Sequence, residues 1–145
     1  IRKQPLCAAP GWLAIDVSED MVLMEMGAPA AGGDGGQGGH AALYKPMGLA
    51  RTEAVRIDAV PGPIALYPQL VSTGRPDIML PVADEEELAA IAPHFGPLAE
   101  LSRQYAVVGV HAFCPAGADG AVHCRNCAPL YGIDEEADTG TANAH

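Results

Sequence analysis

The tightest constraint on this chain is a hairpin signature late in the sequence. Residues 106–114, AVVGVHAFC, are almost unbrokenly apolar and rich in β-branched side chains; GADG follows at 117–120, and AVHCRNC at 121–127 leads back. Glycine at both ends of a short polar turn lets the backbone reverse, so the two runs are expected to pair antiparallel. Every other apolar run is shorter. Residues 12–17 alternate in the strand manner, Ser18-Glu19-Asp20 interrupts them, and residues 21–26 resume, which predicts another hairpin. Residues 64–71 and 77–82 read as two strands around Ser72-Thr73-Gly74-Arg75-Pro76. That polar turn suggests a sheet edge beside a cleft, with Gly74 as a cleft residue.

The helical signals are brief. One short helix is expected over 41–44, stopped by Pro46. Asp84, with Glu87 three residues on, forms a capping box; Leu88, Ile91 and Ala92 then give an apolar face that Pro93 ends. A second helix over 97–104 starts at Pro97 and sets Leu98 and Leu101 one turn apart. Residues 27–39, GAPAAGGDGGQGG, hold seven glycines and no side chain able to anchor a core. Ordering them gains little against the entropy lost, so a mobile surface loop is expected. Strands and short helices without regular βαβ alternation place the chain in the α+β class.

Charge narrows the partners. Eighteen acids against eight bases, net -10, leave no positive stripe to neutralise phosphates, which argues against nucleic acid. No apolar run reaches the ~18–20 residues of a spanning helix, and no leader pattern opens the chain, so a cytoplasmic protein without membrane contact is expected. At 145 residues the chain can bury a core without staples, so its four cysteines need not form disulfides.

Two groups of residues carry possible chemistry. Asp134, Glu135, Glu136 and Asp138 crowd in front of Thr139-Gly140-Thr141, which could open a helix whose free amides face an anion. A carboxylate-bearing ligand would fit there, with a glutamate beside it for proton transfer. The same spacing also suits an acidic loop with Asp138 as helix cap. His111-x2-Cys114 and His123-Cys124-x2-Cys127 offer zinc-type ligands on facing strands, although alternation points Cys124 and Cys127 to opposite faces. Otherwise Cys114 and Cys127 serve as small buried apolar residues.

The order CRNCAPLYGIDEEADTGTAN at 124–143 resembles the hallmark of the PhzF-like phenazine-biosynthesis isomerases, R-x-F-A-P-x-x-G-I-x-E-D-P-A-T-G-S-A. GWLAIDVSEDMVLMEMGAP is similar to the family's hairpin closing its first domain, LVSTGRPDIMLPV to its V-S-T-G-x-P-x-L strand pair, and LAAIAPHFGPLAELSRQYAVVGVHAF to the helices and strand that follow. The resemblance implies a diaminopimelate-epimerase-like fold of two pseudo-symmetric α+β domains, each a curled sheet around a helix, with the active site between them. It divides the chain into the end of the first-domain hairpin (1–27), a Gly-rich loop and interdomain connection (28–60), and a second domain (61–145) incomplete at its C-terminus.

It further implies an isomerase or epimerase working without metal or organic cofactor on a small carboxylate-bearing metabolite, commonly as a homodimer. By position, Glu136 stands for the motif's acidic residue, Thr139, Gly140 and Thr141 for the carboxylate-binding helix start, and Arg125 for the motif's arginine, with a structural pairing role. Asp138 stands where the family has Ala, and Ala137 where it has Pro or Ser. The family's first half, with a catalytic Glu beside a Gly-Asn motif, has no counterpart here, so activity is expected only with a chain or domain supplying it. The alternatives are a non-catalytic binding paralogue and a zinc-binding module.

Overall fold

In chain order the elements are β1 (Arg2–Ala8), β2 (Gly11–Val17), β3 (Val22–Met24), β4 (Ala30–Asp34) and α1 (His40–Tyr44), which runs into a 3₁₀ turn (Lys45–Met47). β5 (Val55–Ile57), β6 (Ile64–Leu66), β7 (Gln69–Ser72), β8 (Pro76–Pro81), α2 (Glu85–Ala89) and α3 (Phe95–Tyr105) follow. β9 (Val110–Cys114), β10 (His123–Ala128), a 3₁₀ turn (Pro129–Tyr131) and β11 (Ile133–Glu136) come last. This computed structural model describes residues 2–8, 11–17, 22–24, 30–34, 40–58, 61–115 and 117–136, with side chains from residue 40 onward. The strands form three sheets, ordered β1-β2-β3, β11-β10-β9-β8-β7-β4 and β5-β6.

The late hairpin is β9–β10, running from Cys127↔Val110 to His123↔Cys114. It opens later than the apolar run does because Ala106 closes α3 in the left-handed region (φ 53°) and Val107 still donates to Ser102 O at 3.0 Å. β8 lies parallel to β9, from Ile78↔Val110 to Pro81↔Phe113, and the crossover between them is α2 and α3. Strands at this distance in sequence need such a crossover to run parallel.

The capping box forms with a shift. Asp84 Oδ1 accepts from Glu87 N at 2.8 Å, but Glu87 Oε2 reaches past the cap to accept from Ala83 N at 2.7 Å. Leu88 and Ile91 are buried as the pattern requires; Ala92 is exposed because α2 has already ended at Ala89. α3 is longer than the expected 97–104, with His94 as its N-cap residue and Leu98 and Leu101 buried.

Three expectations are corrected. Within the Gly-rich stretch, Ala30–Asp34 is a strand pairing with β7 (Ala30↔Ser72, Ala31↔Val71, Asp34↔Gln69), held by a backbone ladder that needs no large side chain. Residues 27–29 and 35–39 of that stretch lie outside the described residues, as do Met21 and residues 25–26 of the first expected hairpin. The single strand expected over 64–71 is two strands in different sheets. Pro68, fully buried between them, has no N–H to continue a ladder. Finally, the turn around Gly74 is not at a sheet edge, because β7 and β8 both have strands on either side.

The core lies on one face of the six-stranded sheet. Directly paired residues share a face, so Ile78, Leu80, Val110, Ala112, Cys114 and Cys127 point together. Leu88, Leu98 and Leu101 of the crossover helices, and Leu43, Tyr44 and Met47 from α1 and its 3₁₀ turn, join the same cluster. Tyr44 satisfies its buried hydroxyl by donating to Pro81 O at 2.7 Å.

Candidate functional site

The opposite face of the same sheet carries a different chemistry. The ladder pairs Met79 with His111, His111 with Asn126, and Asn126 with Glu136, so one row crosses β8, β9, β10 and β11. His111 is 3% and Asn126 6% exposed, while Glu136, at the end of β11, is half-buried. Asn126 Oδ1 is buried without a hydrogen-bond partner among the described residues. The row thus offers a carboxylate next to an acceptor that has been taken from water, on a face that the apolar core does not use.

The direction of Glu136 is set by its neighbour. After the 3₁₀ turn, Gly132 adopts a left-handed conformation (φ 74°) and lets the chain turn back along β10. Arg125 then grips Glu135 with both arms, Nε donating to Oε1 at 2.6 Å and Nη2 to Oε2 at 2.8 Å. Its Nη1 donates to Leu88 O at 3.0 Å and Ile91 O at 2.9 Å, carbonyls at and just beyond the end of α2. This is the structural pairing expected of Arg125. The guanidinium holds the Glu135 carboxyl below the usual carboxylate range. Since Glu135 is tied on the Arg125 side, strand alternation turns Glu136 to the side of Asn126.

Asp134, Glu135 and Glu136 therefore belong to a strand, not to an acidic loop. Asp138, Thr139, Gly140 and Thr141 lie outside the described residues. Gly74 is exposed at the β7–β8 turn (φ 118°), where its N–H donates to Ser72 Oγ at 3.1 Å; it precedes β8 and is not part of the row at Met79. Sequence reading offered His111 only as a zinc-type ligand and missed Asn126. Strand alternation within 123–128 would have separated Asn126 from Arg125 and Cys127.

That alternation also separates the zinc-type ligands. Cys114, Cys127 and His123 share the core side, whereas His111 and Cys124 fall on the other, so no tetrahedral set converges. Cys114 and Cys127 are fully buried thiols, and burial pushes Cys127 up to about 11. Among the described residues, the group that comes close enough for one ion is Glu85, Asp119 and His123. Each already serves the hairpin turn: Glu85 Oε1 accepts from Ala118 N at 2.5 Å, and Asp119 Oδ1 lies 2.9 Å from both Ala121 N and His123 Nε2. No helix among the described residues is long and apolar enough to cross a membrane.

Residues 14–145 match the sequence profile of the PhzC-PhzF family, described as phenazine biosynthesis-like protein. A curated Deinococcus radiodurans protein described as an uncharacterized isomerase is 41% identical over 71 residues, 49% of this chain and 23% of that protein. A Clostridium acetobutylicum protein of the same description is 32% identical over 77 residues, 52% of this chain and 26% of that protein. Each aligned stretch is thus about a quarter of the relative's length. The fold is similar to the crystal structure of a Bacillus anthracis phenazine biosynthesis protein of the PhzF family, with a TM-score of 0.70 at 20% identity, covering 97% of this chain and 46% of that one. A PhzF-family structure from Enterococcus faecalis gives a TM-score of 0.61 at 20% identity, over 99% of this chain and 45% of that one.

Proposed function

This chain belongs to the PhzC-PhzF family of phenazine biosynthesis-like proteins, and from that premise we propose that it is one half of a cofactor-independent isomerase that moves a proton on a small carboxylate-bearing substrate. The family is one of PhzF-like isomerases, with the diaminopimelate-epimerase-like fold. In this reading residues 61–145 are the second domain, residues 1–27 end the first, and residues 28–60 connect them. Glu136 is the proton-transfer group. Thr139, Gly140 and Thr141 bind the substrate carboxylate through backbone amides. Taking a proton from carbon near a carboxylate develops negative charge, and fixed amide dipoles stabilise that charge without reorganising.

The observation that carries this reading is the row on the sheet. Glu135 is held by Arg125 on one side, which leaves Glu136 on the other, beside buried Asn126 and three residues before Thr139. The chain spans less than half of the PhzF-family structures it matches. Turnover is accordingly assigned to an assembly with the half bearing the Gly-Asn motif and its glutamate. Dimerisation and a cytoplasmic location belong to the same proposal.

The test combines binding with isotope exchange. Small carboxylic acids are titrated by calorimetry into this chain and into its Glu136→Gln form. Solvent deuterium uptake is then followed with the complementary half present. The reading expects similar binding by both forms and a loss of exchange of about 10²-fold or more in Glu136→Gln. Exchange at an unchanged rate would remove Glu136 from the chemistry. A second reading, a non-catalytic binding paralogue, is favoured by Asp138, whose charge stands directly before the anion site. Equal binding with no exchange in any assembly selects it.

A further inference from the structure

A second site lies away from the Glu136 row, on the β5–β6 sheet. His40, Thr52, Glu53, Ala54, Arg56 and Tyr67 line a cavity of about 430 Å³, within the ~300–1,000 Å³ range of small-molecule sites. Its construction follows from the local sequence. Val55 is 2% exposed and anchors β5 in the interior, so alternation turns Ala54 and Arg56 the other way. Tyr67 ends the hairpin just before Pro68 and lays its ring against the imidazole of His40, centroids 5.0 Å apart at 35°. His40 is 5% exposed, and its Nε2 is buried without a hydrogen-bond partner among the described residues. With that nitrogen sealed off, the imidazole serves the cavity as packed support for the Tyr67 ring.

The charges are arranged to the same end. Arg56 and Glu53 are exposed on the cavity wall, and neither takes part in an ion pair among the described residues. The neighbouring Arg51, by contrast, is fully engaged with Glu87 through bonds of 2.9 and 2.6 Å. A chain with eight basic residues and a net charge of -10 thus keeps one guanidinium beside one carboxylate in a cavity without joining them. Such a wall matches a ligand that itself carries both charges.

We propose that this cavity binds a small zwitterion of the α-amino-acid class, its carboxylate on Arg56, its ammonium on Glu53 and its side chain against Tyr67, whose ring His40 backs. A simple carboxylate leaves Glu53 facing it with like charge; a simple amine does the same to Arg56. The zwitterion alone satisfies both. Glu136 and residues 139–141 take no part, so the proposal stands or falls separately from the isomerase reading.

The experiment uses the 145-residue chain with L-phenylalanine and L-alanine as probes, and 3-phenylpropionate and 2-phenylethylamine as the single-charge comparators. Binding is measured by calorimetry and by the NMR shift of the His40 Cε1 proton. At least one amino acid should bind and move the His40 signal. The comparators, and separately Arg56→Ala and Glu53→Ala, should each weaken binding by about tenfold or more. Both substitutions are at exposed positions and leave the core intact; His40→Phe, at a buried one, is paired with a thermal melt. No binding of either amino acid at millimolar concentration overturns the proposal. So does equal affinity for 3-phenylpropionate, or binding unaffected by loss of Arg56 and Glu53.

Discussion

Arg125→Met is the most informative perturbation, because it keeps the aliphatic stem and removes five polar contacts of two different kinds. Two join the guanidinium to Glu135, with side chains 22% and 41% exposed. A pair so open to water contributes only ~0.2–1 kcal/mol. The other three join Nη1 to the carbonyls of Leu88, Ile91 and Ala89 at 3.0, 2.9 and 3.5 Å. The first two are part-buried, and a hydrogen bond from a charged group contributes ~1.5–3 kcal/mol. One N–H₂ group serves all three, so they are not summed. Arg125→Met should therefore cost about 2–4 kcal/mol, and Glu135→Gln no more than ~1 kcal/mol. Urea unfolding of the two variants and of the double variant gives the coupling directly.

The pH dependence has a definite sign. Glu135 titrates below its ordinary value of 4.5 in the folded protein. Its share of stability is thus present above that ordinary value and is lost as pH falls through the lowered one. The carbonyl share, resting on an arginine that stays charged, persists. If Glu135→Gln costs as much as Arg125→Met, or if the Arg125→Met penalty vanishes in acid, the assignment of Arg125 to the end of α2 is wrong.

Two other outcomes follow from the structure. A Cβ at Gly109 would lie 2.3 Å from Cys127 O and 3.1 Å from Ala128 Cα, both backbone, so Gly109→Ala should cost toward the upper end of ~1–3 kcal/mol; a variant that melts with the parent refutes it. His123, bonded to Asp119, should titrate above its ordinary 6.5 by NMR and fall back in Asp119→Asn; its contribution to stability is complete below 6.5 and disappears as pH rises through the raised value, and an unmoved midpoint in Asp119→Asn refutes the pairing.

What was legible in the sequence was local. The GADG turn, the Asp84 cap and the paired leucines at 98 and 101 each write their geometry into neighbouring residues, and the structure carries all three. What escaped was pairing at a distance. β4 has no side-chain signature because its ladder to β7 is made by backbone groups. Residues 134–136 look like a loop until β10 supplies a partner. The parallel seam between β8 and β9 joins residues such as Ile78 and Val110 that no local pattern relates. Pro68 is a different case, since its missing N–H was visible and was outweighed by the apolar residues around it. For the candidate site, the family motif pointed to Glu136; only the register revealed that His111 and Asn126 stand in line with it.

The β5–β6 pair is anchored at one end, where buried Val55 pairs with Leu66 and buried Pro68 follows two residues on, and among the described residues it shares no ladder with the six strands. Residues on its outer side can therefore be exchanged, lengthened or shortened by mutation without any strand of the large sheet changing neighbours. The hairpin is a separable lip beside the six-stranded frame. A relative with the same six-stranded sheet is thus free to differ at this hairpin in length and in side chains.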